Sequence, residues 1–261
     1  VAYDPTDKTR VTKHDIVAGL RDIGIEPGNL LHVHSSLSAF GYIEGGPDAV
    51  IDAVLEAVAP DGTVMMPSFN HGRAKVYDIN ETPTTNGIVP ETFRKRPEAR
   101  RSMHPTHPYA AIGPLAEFLT SEHLDLLTFD ARSPLGKLAQ LGGYVLLLGV
   151  GMRANTAAHV AETMARVHCL GYRQMPRKIK NERGEIVGAW STLWRDGKCL
   201  IEWEPIEEAM RERGQIRDGQ IGDAEVHLMR CADVIGATFN LTQTVCPTCP
   251  VRPKPLAPPS G

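Results

Sequence analysis

No stretch of the chain holds about eighteen or more consecutive apolar residues, so no segment reads as a membrane-spanning helix, and the run Leu146 to Val150 is far too short for a bilayer. Positive charge is not in surplus either. The formal net charge is -3 at pH 7, which gives no basic excess to suggest a nucleic-acid partner. Cysteine is scarce and odd in number, at five. Cys169, Cys199 and Cys231 are scattered through segments that read as structured, which argues against a disulfide framework. The first residues, V-A-Y-D-P-T-D-K, lack the basic-then-apolar order of a secretory signal. The expectation is a soluble, cytoplasmic protein with neither membrane nor nucleic acid as partner. Internal repeats and clear linkers are absent too, so residues 1–250 are expected to form one domain. Residues 251–261, rich in proline, are expected to be disordered.

What is present alternates. Ile16, Val17, Leu20 and Ile23 recur at a helical period behind Thr12, which with Asp15 forms a capping box. Leu30 to His34 reads as a buried strand, followed by Ser35-Ser36-Leu37-Ser38, a Gly-rich loop over 41–46 and a helix from Pro47 to Val58. Thr63 to Met66 is a second strand. Helix, strand, loop, helix, strand predicts an α/β layered fold with a mixed, largely parallel sheet. Residues 68–90 show no sustained period and read as a long loop of the kind that tends to be functional. Tyr109 to Ile112 is a further apolar run, and a helix is expected from Pro114. Residues 177–194 alternate like a hairpin around Asn181 to Gly184, Pro205 to Arg213 is helical, and 221–235 mixes helix and strand signals. The tail from Pro247 is expected to be irregular.

The segment Gly149 to Glu162 concentrates functional residue types. It follows the strand Tyr144 to Leu148 and opens a helix expected to run to about His168, with Asn155 or Thr156 as its cap. That places it at the carboxyl edge of the sheet, where open α/β folds bind ligands. His159 falls about one turn in, and Glu162, three residues on, shares its face. Gly149-Val150-Gly151-Met152-Arg153-Ala154 matches the dinucleotide pattern G-x-G-x-x-A. The acidic residue that pattern needs about twenty residues later is missing, so a tight strand-to-helix turn accounts for the glycines.

Other constellations compete. His32 and His34 alternate onto one face of a strand, as two metal ligands of a hydrolase would, with His71, His104, His107 and His159 available as more. As plain packed histidines they need no metal. Ser35 to Ser38 offers hydroxyls and N–H groups suited to the amide or phosphate groups of a ligand. Cys169 beside His168 is a poor nucleophile–base pair, because adjacent helical residues point apart.

Four pieces occur together in order. They are His34-Ser35-Ser36-Leu37-Ser38, Gly62-Thr63-Val64-Met65-Met66-Pro67-Ser68-Phe69, Arg101-Ser102-Met103-His104-Pro105-Thr106-His107, and Gly149-Val150-Gly151 with Asn155 to Glu162. Together they resemble the motifs of the aminoglycoside 3-N-acetyltransferases over nearly the whole chain, from about Lys13 to about Cys249. The resemblance implies a single α/β/α domain that binds acetyl-CoA in a cleft beside an acidic acceptor site for a cationic amine. It implies His159 as catalytic base and Asp196 near the acceptor amine; the chemistry of the residues adds Glu162 or Asp196 as the carboxylate that orients the imidazole. It implies a coenzyme channel lined by His34, Ser35, Ser36, Leu37 and Ser38, by Arg101 and Ser102, and by the loop containing Ser133, Gly136 and Lys137. By the same resemblance Cys199 joins Cys246 and Cys249 as ligands of a structural zinc; without it the last two are half a site.

The chemistry suits the residues. An amine attacks a thioester only when unprotonated, and imidazole is the side chain that titrates near neutrality. One departure bears on the acceptor. Where family members often carry acids after the second strand, this chain has Arg73 and Lys75. Asp78, Glu81, Asp196, Glu202 and Glu204 are the acids that can offset them. The expectation is therefore an acetyl-CoA-dependent N-acetyltransferase acting on an aminoglycoside, an antibiotic-resistance activity. The alternatives are a metal-dependent hydrolase using His32 and His34, an acyltransferase of the same fold acting on another amine, and a protein that binds coenzyme A without turnover.

Overall fold

A computed structural model describes residues 9–254 apart from residue 182, with the backbone alone for residues 172–174 and 193. Its centre is a seven-stranded mixed sheet. In spatial order the strands are Ile216–Ile221, Ala224–Arg230, Tyr144–Leu148, Leu30–Ser35, Thr63–Pro67, Tyr109–Ile112 and Arg100–Arg101. The parallel part is smaller than the alternation suggested. Leu30–Ser35 runs parallel to both of its neighbours, and the outer strands pair antiparallel. For one of these pairings the reason is local: the strands ending at Ile221 and beginning at Ala224 are joined by two residues, Gly222 at φ 57 among them, which permits only a hairpin.

Strand alternation divides the core into two. Leu31, Val33, Val64, Met66, Leu146 and Leu148 face the helices Lys13–Asp22 and Gly46–Val58. Leu30, Met65, Val145 and Leu147 face a second layer that includes Leu135, Val160, Met210 and Val234. Helices thus cover both faces, which is the α/β/α sandwich expected. Thr12 forms the capping box with Asp15 as read from the sequence.

Several local expectations need correction. Residues 68–90 are not all loop: Tyr77–Asp78 pairs with the hairpin Gly171–Lys180 and Ile186–Leu193, and a short helix begins at Ile88. The mixed signals over 221–235 are the end of one strand, the whole of the next and the start of the helix Cys231–Val245. The helix holding His159 spans only Ala158–Met164 and stops where Arg166 takes φ 50, well short of His168. The tail is not irregular from Pro247. A turn of helix covers Cys246–Thr248, and Arg252–Pro253 pairs antiparallel with Arg195–Asp196. Residues 255–261 lie outside the described residues.

Gly149 is the pivot between strand and site. Its φ is 66, and a Cβ there would collide with the Cβ of Ala39 in the 3-10 turn Leu37–Phe40. Substituting Gly149→Ala combines left-handed backbone strain with a clash and is expected to cost about 2 kcal/mol or more. A thermal-unfolding midpoint equal to that of the parent would refute this reading.

Candidate active site

The strand Tyr144–Leu148 delivers the chain to the carboxyl edge of the sheet, and residues 149–157 turn it into the short helix Ala158–Met164. Asn155 fixes that turn. Its side-chain oxygen accepts from Ala157 N at 3.1 Å, while its amide reaches the sulfur of Met229 at 3.4 Å. On the helix, His159 Nδ1 meets Glu162 Oε2 at 2.8 Å, the i,i+3 contact expected from the spacing. The His159 side chain is a quarter exposed, at 25%, whereas Glu162 is buried at 5%. A base must reach its substrate and its orienting carboxylate need not, so the difference suits the two roles.

Asp196 does not hold the imidazole: it is exposed on its strand and Glu162 takes that place. The residue before it, Arg195, points inward instead. Its guanidinium lies 2.6 Å from Glu162 Oε2, the same oxygen that meets His159. Burial alone would favour the protonated form of Glu162, but His159 and Arg195 outweigh it and bring its carboxyl down to about 2. Glu162 is therefore an anion at neutral pH. Sequence reasoning missed Arg195: neighbours on a strand face opposite ways, but the two-residue strand Arg195–Asp196 is defined by its pairing with the distant Arg252–Pro253.

Around the imidazole stand three aromatic rings, Trp194 at 4.9 Å, Phe129 at 5.1 Å and Trp203 at 6.2 Å between centroids. His159, Glu162, Trp194, Arg195 and Trp203 line one cavity of about 170 Å³. Asp196, Glu202 and Glu204 are exposed, Asp196 next to Arg195 and the two glutamates on either side of Trp203; Glu204 reaches Arg153 at 3.3 Å. Aromatic faces and nearby carboxylates attract a cation. Arg73 and Lys75 are exposed. A larger depression of about 730 Å³ lies beside Arg94, Arg96 and Arg100. It lacks the chemistry of the first, because Arg94 is paired with Glu91, and Arg96 with Asp48 and Asp52.

His32 and His34 do share a face. Their Nε2 atoms each lie 3.4 Å from Thr156 Oγ1, three residues before His159. Both are buried; burial, with His34 as neighbour, holds His32 neutral, and burial pulls His34 down to about 3. No group of three or more His, Cys, Asp or Glu among the described residues is placed to hold a metal ion. The ligand set of a metal-dependent hydrolase is thus not assembled. Nor is the zinc set of Cys199, Cys246 and Cys249. All three are free thiols, and Cys199 Sγ is directed at Glu162 Oε1, 3.6 Å away.

The residues expected along the coenzyme channel divide. Ser35 ends its strand, and Ser36, Leu37 and Ser38 lead into the 3-10 turn Leu37–Phe40, partly open beside His34; Ser36 N donates to Leu148 O at 2.9 Å, and the Ser36 and Ser38 hydroxyls meet at 3.3 Å. Arg101, by contrast, is spent on the interior. It donates to the carbonyls of Ile79, Thr82 and Ser68 and stacks over Tyr77. Ser102 Oγ accepts from Tyr109 N at 2.8 Å and meets His123 at 3.0 Å. Ser133 caps the helix Pro134–Gln140 by accepting from Gly136 N, and a Cβ on Gly136 would collide with the Ala131 carbonyl. Lys137 Nζ donates to the carbonyls of Phe118 and Ser121. Polar heads so committed hold loops in place and have little left for a ligand.

This fold and this edge recur in known proteins. The family model described as aminoglycoside 3-N-acetyltransferase matches residues 32–243. The chain belongs to the aminoglycoside 3-N-acetyltransferase family. Aminoglycoside N(3)-acetyltransferase IV of Salmonella sp is 33% identical, with 87% of this chain and 86% of the relative covered. The SPbeta prophage-derived aminoglycoside N(3')-acetyltransferase-like protein YokD of Bacillus subtilis (strain 168) is 32% identical, over 90% and 89%. Among solved structures, a histidine-to-alanine mutant of aminoglycoside acetyltransferase AAC(3)-IVa in complex with a gentamicin superposes with a TM-score of 0.81 at 30% identity, over 91% of this chain and 90% of that one. AAC-IIIb in its binary complex with CoASH gives 0.81 at 25% identity, over 93% and 100%. Membership in the aminoglycoside 3-N-acetyltransferase family is thus supported by sequence and by structure over most of the chain.

Proposed function

We propose that the protein is an acetyl-CoA-dependent N-acetyltransferase that acetylates an amine of an aminoglycoside, with His159 as general base. The observation that carries the mechanism is the pair His159–Glu162, whose imidazole is partly open to a cavity walled by Trp194 and Trp203 while its carboxylate is buried. His159 removes a proton from the attacking amine nitrogen. The nitrogen–carbon bond forms at the thioester carbonyl, the carbon–sulfur bond breaks, and the proton held by the imidazole balances the departing thiolate. Glu162, an anion at the other ring nitrogen, fixes the tautomer and stabilises the imidazolium. The acyl group passes directly between substrates, so no covalent acyl-enzyme is needed. The segment Ser35 to Ser38, which follows His34 where Thr156 meets it, supplies hydroxyls and N–H groups for the acyl donor, and the exposed acids near the two tryptophans draw the cationic acceptor.

The test is thiol release from acetyl-CoA with a panel of aminoglycosides and simpler amines. Release with an aminoglycoside, indifferent to a chelator, supports the proposal. Release only with the simpler amines would move the acceptor away from aminoglycosides while leaving the transfer intact. Chelator-sensitive hydrolysis without coenzyme would sink the transferase reading. Acetyl-CoA binding with no turnover on any amine would reduce the protein to a coenzyme-binding one.

A further inference from the structure

We propose that Arg195 is a positioning residue for the transfer: it grips Glu162 through Oε2, keeping the carboxylate seated on His159 Nδ1 while drawing part of its negative charge away from the imidazole. This rests on the reading of His159 as the base.

One carboxylate oxygen serves two partners, His159 Nδ1 at 2.8 Å and Arg195 Nη2 at 2.6 Å, with Arg195 and Glu162 side chains exposed by only 4% and 5%. The Nη2 contact lies off the ideal hydrogen-bond line and Nε has no partner, so Glu162 is the anion that compensates this buried guanidinium, by charge and by close contact. The guanidinium is held in place from two sides. It stacks over the Trp194 ring at 5.1 Å, and that ring stands 4.9 Å from His159. Its strand is clamped by the C-terminal segment through Arg195–Pro253 and Asp196–Arg252 pairing, and Lys254 N donates to Trp194 O at 2.8 Å.

The physical consequence has two parts. A buried carboxylate with only an imidazole for company tends either to take up a proton itself or to hold the imidazole permanently charged, and a permanently charged imidazole accepts nothing. A fixed cation on the same oxygen avoids both. The other titratable groups that face this pair do not offer that cation. Cys199 touches Glu162 Oε1, and Cys169 and Cys246 approach from the segment after the helix and from the tail. Burial pushes all three thiols up, Cys199 to about 11, so they are neutral. Cys249 lies among them, and its carbonyl accepts from His168. His107, on the far side of Phe129, is kept neutral by burial. Arg195 therefore sets the charge that Glu162 presents to the base.

The experiment compares full-length R195Q and R195K with the parent by NMR titration of the His159 ring, and by kcat and KM against pH with acetyl-CoA and an accepted amine. In R195Q the ring should titrate at higher pH by about one unit, a factor of about ten in the proton equilibrium. The acidic limb of kcat should move the same way, and kcat near neutrality should fall about tenfold with KM for acetyl-CoA little changed. R195K keeps the charge and should keep the titration near the parent's. In the E162Q background the rise caused by R195Q should be smaller, because only the direct repulsion between guanidinium and imidazolium is left to relieve. An unmoved ring titration in R195Q, or equal losses in R195Q and R195K without a shift, would overturn the proposal and leave Arg195 a packing residue. R195M, of similar volume and without an unpaired polar head, replaces R195Q should the latter not fold. The ring titration needs no turnover, so it decides the role of Arg195 even if the parent acetylates none of the amines.

Discussion

Replacing His159 with alanine should lower kcat for thiol release by about 10²- to 10⁴-fold, the range that a positioned general base supplies. Binding of acetyl-CoA should be nearly unchanged, because the proposed donor contacts lie on Ser35 to Ser38 and not on the imidazole. The deficit should also depend on pH. An amine that has already lost its proton to bulk water needs no base, so the gap between variant and parent should narrow as pH rises. Steady-state kinetics across the pH range, with coenzyme affinity measured separately, provide the check. A loss below about tenfold at neutral pH would mean that the amine is deprotonated elsewhere and that His159 only shapes the pocket. The substitution should cost little stability. His159 is a quarter exposed, and the Glu162 carboxylate it leaves keeps Arg195 as partner.

The same site shows how far sequence reaches. His159 and Glu162 were legible because their relation is local: three residues on a helix must meet, whatever the rest of the fold does. His32 and His34 were legible as sharing a face for the same kind of reason, the two-residue period of a strand. Their chemistry was not. Whether two histidines bind a metal depends on carboxylates brought in from elsewhere, and here the third polar group is the hydroxyl of Thr156, more than a hundred residues away in sequence.

Arg101 and Lys137 show the opposite case, side chains whose internal bonds the sequence did not reveal. A cation in a loop motif suggests a phosphate contact, but Arg101 bends back onto carbonyls of the irregular stretch at Ile79 and Thr82, and Lys137 onto carbonyls at the end of the helix Ala116–Thr120, groups that need donors once buried. Nothing in the spacing distinguishes the two uses of a cation. Arg195 was missed for want of tertiary information: its partner Glu162 belongs to another element, and the tail strand Arg252–Pro253 that braces it is too short and proline-bearing to announce itself. The helix beyond Met164 was overextended because residues 165–168 contain no proline or glycine; Arg166 stops it by adopting a left-handed conformation that the sequence does not advertise.

Glu162 should be the costliest polar residue of the site to remove. In Glu162→Gln the Arg195 guanidinium stays buried with no anion, and breaking such a pair from one side costs about 3–5 kcal/mol. For a chain of this size that corresponds to a fall of roughly 6–20 °C in the unfolding midpoint. The effect should fade in acid, and the sign follows from the carboxyl. Its folded value, about 2, lies below the ordinary unfolded carboxylate value of about 4.3, so the folded state binds the proton less readily than the unfolded one. The stabilisation is complete above about pH 4.5 and is lost as pH falls towards 2. The parent should therefore lose this contribution over that window, while the variant, with nothing to titrate there, should not. Denaturant unfolding of both proteins between pH 7 and pH 3 measures the gap. A stability difference that stays constant over the range would show that Glu162 acts through its shape alone. A difference below about 1 kcal/mol at pH 7 would show that Arg195 finds water or another partner once the carboxylate is gone.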